Sequence, residues 1–290
     1  ANTTGTKNTA VGANALDANT TGAENTAVGQ TCLGQCTTGN YNTAIGRNAL
    51  AQGTDFTKNT AVGWQALAST TASNNTGVGY EALVNVTTGH DNAGVGRQAL
   101  GSVTTGTKNT AVSTAGQSIT TGSNNLCLGY NAGSSASPSG TISTSGNTIC
   151  LGDNGISNLF CADTSISSSD SRDKTDVTSF NIGLDWIKAL RPVTYRWDRR
   201  TWYGTDEEPF GTPDGSKKRA KLHIGFLAQE ALEVEKANGY GTSNDDSLVV
   251  NLTEDGMSYG MKYERLVPVL VNAIKELSAE VEQLKSQLNN

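Results

Sequence analysis

Histidine is nearly missing from this chain, with two in 290 residues, and proline (five) and methionine (two) are almost as scarce. With only His90 and His223 to draw on, no plausible Ser/His/Asp set can be assembled, and no Gly-rich phosphate loop is present. Apolar runs never approach the ~18–20 residues that a bilayer-spanning helix needs, so membrane insertion is not expected. A positive face is lacking too. The net charge is −6, and the one basic cluster is Lys217-Lys218-Arg219. Nucleic-acid binding, which requires many phosphates to be neutralised, is therefore not expected. Five cysteines make an odd count whose spacing fits no zinc pattern; Cys32-Leu-Gly-Gln-Cys36 has no second pair or ligand histidine to complete it. No metal or cofactor is expected.

What the chain does have is distributed unevenly. Up to Gly155 there are five basic and six acidic residues amid dense Asn, Thr, Gly and Ala. From Ile156 onward there are sixteen basic and twenty-one acidic residues and three of the four tryptophans. The first part is too poor in bulky apolar residues for an ordinary globular core, whereas the second has a normal globular mix. The division expected is a repetitive β-structured shaft over 1–155, a linker over 156–168 and a folded module over 169–290. The chain opens inside a repeat, which reads as part of something longer.

A pentad ending in glycine recurs, first as Asn8-Thr-Ala-Val-Gly12. Its last position advances by 17, 17, 17, 16, 17, 17, 16 and 23 residues, through Ser113 and Gly129 to Gly152. A fixed period near 17 means stacked coils of one short unit, each touching only its neighbours. Three to four residues after the glycine comes a second apolar spot, as in Ala49-Leu50 and Ala66-Leu67, and then a turn, often Thr-Thr-Gly, in which glycine is expected to supply positive φ. Cys32, Cys127 and Cys150 occupy alanine slots of this unit, where a free thiol behaves as a small buried hydrophobe. Cys36 and Cys161 have no place in the pattern. Residues Tyr130 to Gly146 break the period and read as an exposed loop.

Such a coil is expected to bury about one valine and one leucine, little against the ~1–2 kcal/mol of entropy that each ordered residue costs. Three chains about a common axis would bury both apolar stripes, so a trimeric fibre of the β-roll or β-helix type is expected. From Asn8 to about Gly152 the repeats resemble the head modules of trimeric autotransporter adhesins and the shafts of phage fibres. The threonine column Thr9, Thr26, Thr43, Thr60, Thr76 and Thr110 also admits an ice-binding reading. Strand alternation sets each threonine on the face of the pentad valine, which a trimer would cover.

Beyond the linker the pattern predicts a short helix over Asn181–Leu190, stopped by Pro192, then a strand over Val193–Trp197. A long polar loop follows, then a strand over His223–Leu227 and a helix from Ala228 to about Ala237. Two more extended segments, Ser247–Leu252 and Met257–Tyr263, precede a final helix. Val267, Leu270, Ile274, Leu277, Val281, Leu284 and Leu288 are spaced alternately three and four apart, a coiled-coil seam over about 264–288. Glu280 and Lys285 flank it at positions suited to an interchain ion pair. β-Branched residues at the first core position with leucine at the second favour dimers. A helix of about three heptads, however, follows the symmetry of the domains attached to it, and a trimer is expected.

Four segments carry a specific resemblance. Ser169-Asp170-Ser171-Arg172-Asp173-Lys174 is similar to the Ser-Asp-x-Arg-x-Lys motif that opens the endosialidase-type intramolecular chaperone of phage tailspikes and tail fibres. Leu190 to Trp197, Ile224 to Glu230, and Tyr263 to Pro268 resemble later segments of that family, in order. The resemblance implies an α+β domain that trimerises the chain, templates folding of the upstream fibre and then releases itself by autoproteolysis between Ser168 and Ser169. It implies Ser169 as nucleophile and Lys174 as general base, with Asp170 and Arg172 in support. Family members often carry an acidic residue before the cut; here Ser168 stands there.

A serine hydroxyl needs a neighbouring base to take its proton, and a lysine can do so only when neutral. Lowering a lysine pKa from about 10.4 to about 7.5 takes roughly 4 kcal/mol, from burial or a nearby cation such as Arg172. Closure of the site on trimerisation would supply it. The function expected is the distal part of a trimeric viral tail fibre or spike, carried on the virion and meeting a host-cell receptor or glycan. Its serine endopeptidase activity would be one intramolecular event. A bacterial trimeric surface adhesin and a non-cleaving form of the same fibre are the alternatives.

Overall fold

The structure is a computed structural model that describes residues 2–156, 159, 169–205 and 208–289. Ser168, Cys161 and most of the linker lie outside those residues. Residue contacts divide the chain into a first unit of residues 1–157 with 203–212 and a second built from 158–202 and 213–290.

The first unit is a β-solenoid. Its nine strands, β1 (Thr9–Val11), β2 (Thr26–Val28), β3 (Thr43–Ile45), β4 (Thr60–Val62), β5 (Thr76–Val78), β6 (Ala93–Val95), β7 (Thr110–Val112), β8 (Leu126–Leu128) and β9 (Ile149–Leu151), form one parallel sheet in sequence order. The register stacks like on like, Thr26 on Thr43, Ala27 on Ala44 and Val28 on Ile45.

The expectation that the pentad valine is buried is corrected. The middle residue points inward, with Ala27, Ala44, Ala61, Ala111 and Cys127 fully buried, while Val11, Ile45, Val95 and Val112 are exposed beside the threonines. A coil this thin admits little more than a methyl group there. Where the leucine of the preceding coil leans in, even that is crowded: a Cβ on Gly77 would lie 3.2 Å from Leu67 Cγ.

Leucine fills the next interior column, from Leu16 through Leu33, Leu50, Leu67 and Leu83 to Leu100, and each takes a left-handed φ of 50–54°. That conformation costs an L-residue roughly 1–2 kcal/mol. Coil-to-coil hydrogen bonds offset it, such as Leu33 N to Ala49 O at 3.1 Å and Leu50 N to Ala66 O at 3.1 Å. The expected role of the turn glycines is also corrected. Gly89 and Gly106 do not carry positive φ; a Cβ on Gly89 would meet Gly106 O at 2.3 Å, so close approach is what requires them.

A third interior column places Cys36. Stepping by the repeat, it holds Asn19, Cys36, Thr70, Val86, Val103 and Ile119, all buried. Phe56 fills the space over Gly53, whose Cβ would lie 2.9 Å from Phe56 Cε1. Burial raises the thiol pKa of Cys32 and Cys36, and burial with Cys150 nearby pushes Cys127 up to about 12, as fits neutral packing groups. The insertion after Tyr130 is not simply an exposed loop either: Ile142 and Ser137 are buried, and Ile142 joins the core.

The pentad asparagines form a ladder that pattern reading missed. Asn25, Asn42, Asn59, Asn75, Asn92, Asn109 and Asn125 are buried. The side-chain Oδ1 of Asn92 accepts from the backbone N of Asn109 at 2.9 Å, and its Nδ2 donates to Gly106 O at 2.9 Å. The backbone N of Asn92 in turn donates to Oδ1 of Asn75 at 3.0 Å.

Thr31 marks a local weakness. It has φ 59° at a position where other coils carry Asn14, Asn48 and Asn131, and a β-branched residue fits that region poorly. Thr31→Asn is expected to stabilise the solenoid by about 1 kcal/mol, read as a higher melting temperature by circular dichroism. An unchanged or lower value would count against the assignment of strain.

The second unit is α+β. Its elements are α1 (Leu184–Ala189), β10 (Val193–Tyr195), β11 (His223–Gly225), α2 (Ala228–Ala237), β12 (Val250–Leu252), β13 (Tyr259–Met261) and α3 (Leu266–Leu288). β10 pairs antiparallel with β11, and β12 with β13. α1 starts three residues later than expected because its N-terminus is capped from afar: Leu184 N donates to Glu276 Oε2 of α3 at 2.7 Å. Trp186, Leu190, Ala231, Val249, Val250, Leu266 and Val269 make the core. Glu235, fully buried, accepts from Leu248 N, Val249 N and Val250 N at 2.7–2.9 Å and so anchors that segment to α2.

α3 has two distinct apolar faces. Leu266, Val269 and Ala273 are buried against their own unit, and Asn272 Nδ2 donates to Phe180 O and Ile182 O. Val267, Leu270, Ile274, Leu277, Val281, Leu284 and Leu288 are exposed, from 42% at Leu270 and Val281 to 85% at Leu288. The heptad seam is thus separate from the surface that packs α3 on its domain. Lys285 bonds Glu282 within its own helix at 2.7 Å.

Candidate functional site

The Ser169–Lys174 segment folds as a tight turn. Asp170, in extended backbone, caps a 3₁₀ turn over Ser171–Asp173 by accepting from Arg172 N at 2.9 Å. An aspartate at that position satisfies a backbone donor that the turn would leave open. The turn folds the chain back, so that Lys174 Nζ donates to Ser169 Oγ at 2.7 Å. Both residues are exposed.

Asp170 and Arg172 are also joined through their side chains. Arg172 Nε lies 3.0 Å from Oδ1 and 3.2 Å from Oδ2, and Nη2 donates to Oδ2 at 2.6 Å. The guanidinium and the Arg172 backbone N–H hold the Asp170 carboxyl below the usual carboxylate range, and the carboxylate raises the guanidinium in return. Ser168, on the other side of the expected cut, lies outside the described residues.

An amine and a hydroxyl at this distance can exchange a proton in either direction. As an ammonium, Lys174 donates; only the neutral amine can accept the serine proton and leave an alkoxide-like nucleophile. No group of three or more histidine, cysteine or acidic residues suited to a metal occurs among the described residues. None of their helices is long and apolar enough to cross a membrane.

The remaining segments singled out in the sequence come together in the second unit. Arg191 pairs with Glu230, with Nε 3.1 Å from Oε2. Residues 193–195 and 223–225 are strand partners, and Phe226 N donates to Tyr263 Oη at 3.2 Å. Three stretches far apart in sequence therefore share one small framework.

The described residues thus form a β-solenoid and a small α+β unit that opens on the Ser169–Lys174 turn. The family model described as the chaperone of endosialidase matches residues 169–240, beginning at Ser169. No curated protein and no solved structure matches the chain. The match supports an endosialidase-type chaperone domain behind the shaft.

Proposed function

We propose that this chain is the distal part of a trimeric tail fibre or spike of a bacteriophage. Its C-terminal domain drives trimerisation and folding of the shaft and then cuts itself free between Ser168 and Ser169. The observation that carries this reading is the 2.7 Å approach of Lys174 Nζ to the hydroxyl of the first residue of the matched chaperone segment.

Two exposed apolar stripes support the trimer. One is the valine column of the solenoid sheet and the other is the heptad seam of α3. Contiguous apolar surface of this extent marks an interaction surface. In the trimer the threonine and valine face turns inward, as in the head modules that the repeats resemble. The virion is where such a fibre works, and a host-cell receptor or glycan is its external partner.

The chemistry balances as follows. Neutral Lys174 takes the Ser169 hydroxyl proton while Oγ attacks the carbonyl carbon of Ser168, which precedes it in the chain. The C–N bond breaks, the Ser169 nitrogen receives the proton, and an ester joins Ser168 to Ser169 Oγ. One water then hydrolyses the ester, leaving a carboxylate at Ser168 and a free amine at Ser169. Water exclusion around Lys174 on assembly favours its neutral form, so cutting reports a finished trimer.

A denaturing gel tests this most directly. The native chain is expected to run as fragments of 168 and 122 residues (290 − 168 = 122), with Ser169→Ala and Lys174→Ala running as one intact band. A single band for the native chain would favour a chaperone that does not cleave. Two bands for Ser169→Ala would remove Ser169 as nucleophile.

A further inference from the structure

We infer that Arg172 is a positioning residue for self-cleavage, occupying the Asp170 carboxylate so that Lys174 is left to Ser169 alone. The inference rests on the roles proposed above for Ser169 and Lys174.

A carboxylate is the worst neighbour for a lysine that must work as a base. An opposite charge within ~4–6 Å favours the ammonium by about 1–3 pKa units. Asp170 is the residue next to the nucleophile, and Lys174 Nζ donates to that nucleophile's hydroxyl at 2.7 Å. Left free, that carboxylate would compete with the serine for the lysine. It is instead taken at both oxygens by Arg172, through Nε and Nη2, and Oδ1 also accepts the Arg172 backbone N–H.

Arginine suits this task because its planar fork matches a carboxylate in a bidentate way and keeps its charge throughout the working pH range. Asp173 and Asp176, the other acids beside Lys174 in sequence, are exposed, and no ion pair among the described residues includes Lys174. The sequence admits Arg172, beside burial, as a nearby cation that favours the neutral lysine. Its guanidinium is already committed to Asp170, so it acts by neutralising that carboxylate.

Asp170 has two jobs, and substitution can separate them. Asparagine keeps the Oδ1 acceptor for Arg172 N, and with it the turn, but carries no charge. The test is the rate of self-cleavage of the full chain, made by cell-free translation and followed on denaturing gels across neutral and alkaline pH. Arg172→Ala is expected to raise the inflexion of the pH–rate profile by about one unit and slow cleavage about tenfold at neutral pH, with the alkaline plateau kept.

Adding Asp170→Asn to Arg172→Ala is expected to bring the inflexion back to its native position. Asp170→Asn alone should cleave with a native or lower inflexion. A purely structural Arg172 would instead lower the rate equally at every pH, with no rescue in the double variant, and that result would overturn the inference. A native chain that cleaves while all variants share its inflexion would overturn it too, and would leave the Ser169–Lys174 reading intact. Cleavage that survives Ser169→Ala would remove that reading and this inference together.

Discussion

Replacing Gly63 with alanine is expected to cost the shaft about 4 kcal/mol or more and to melt its central coils well below the rest. Two effects add. Gly63 has φ +135°, in a region that side chains rarely enter, and a Cβ there would lie 2.3 Å from Gly79 O. The contact is with backbone of the next coil, so no rotamer change can relieve it. The neighbouring glycine cannot retreat, because its own Cβ position is 2.4 Å from Gly96 O. Ser113 marks the limit of tolerance: at that step of the column the chain accepts a side chain, but only with φ shifted to 79°. Melting followed by circular dichroism reads the loss, and a transition matching the native one would refute the claim that close stacking dictates glycine here.

The second large effect concerns α3. Ile274→Asp with Leu277→Asp is expected to abolish the proposed trimer and with it most of the proposed self-cleavage, while the second unit stays folded. Both side chains lie on the exposed seam, Ile274 at 66% and Leu277 at 50%, whereas the residues that α3 buries are Leu266, Val269 and Ala273. Burying two such residues from each of three chains is worth on the order of 10 kcal/mol per trimer, and acidic replacements add unpaired charge. Light scattering gives the mass, and the gel gives the extent of cutting. Efficient cleavage by a well-folded monomer would break the proposed link between assembly and processing.

The pentad recurring about every 17 residues made the coils and their strands visible in the sequence, because a strand of three residues followed by glycine repeats its chemistry at every turn. Which strand residue faces inward was not visible. Alternation groups Thr26 with Val28 but does not say which face is enclosed, and hydrophobicity alone favours the valine. The size of the coil decides for Ala27 instead. The left-handed leucines were hidden as well, since nothing in a Leu codes for positive φ; coil-to-coil hydrogen bonds impose it.

The asparagine ladder could have been found, because an asparagine precedes nearly every strand at constant spacing, and a polar residue so regular has a regular partner. The later start of α1 had no local signal, as its cap comes from Glu276, 92 residues away. In the candidate site the turn around Asp170 is local and readable from Ser-Asp-x-Arg. The pairing of Ser169 with Lys174 came from resemblance, and composition would never have singled it out.

The asparagine column carries a consequence for how such a shaft changes size. Each amide is satisfied by the coil on either side, so a whole unit can be excised or duplicated and the two new neighbours will still find the groups they require. The solenoid can therefore vary in whole-unit increments of a few ångströms while the sequence of the second unit stays untouched. Length becomes a property that recombination can tune by itself.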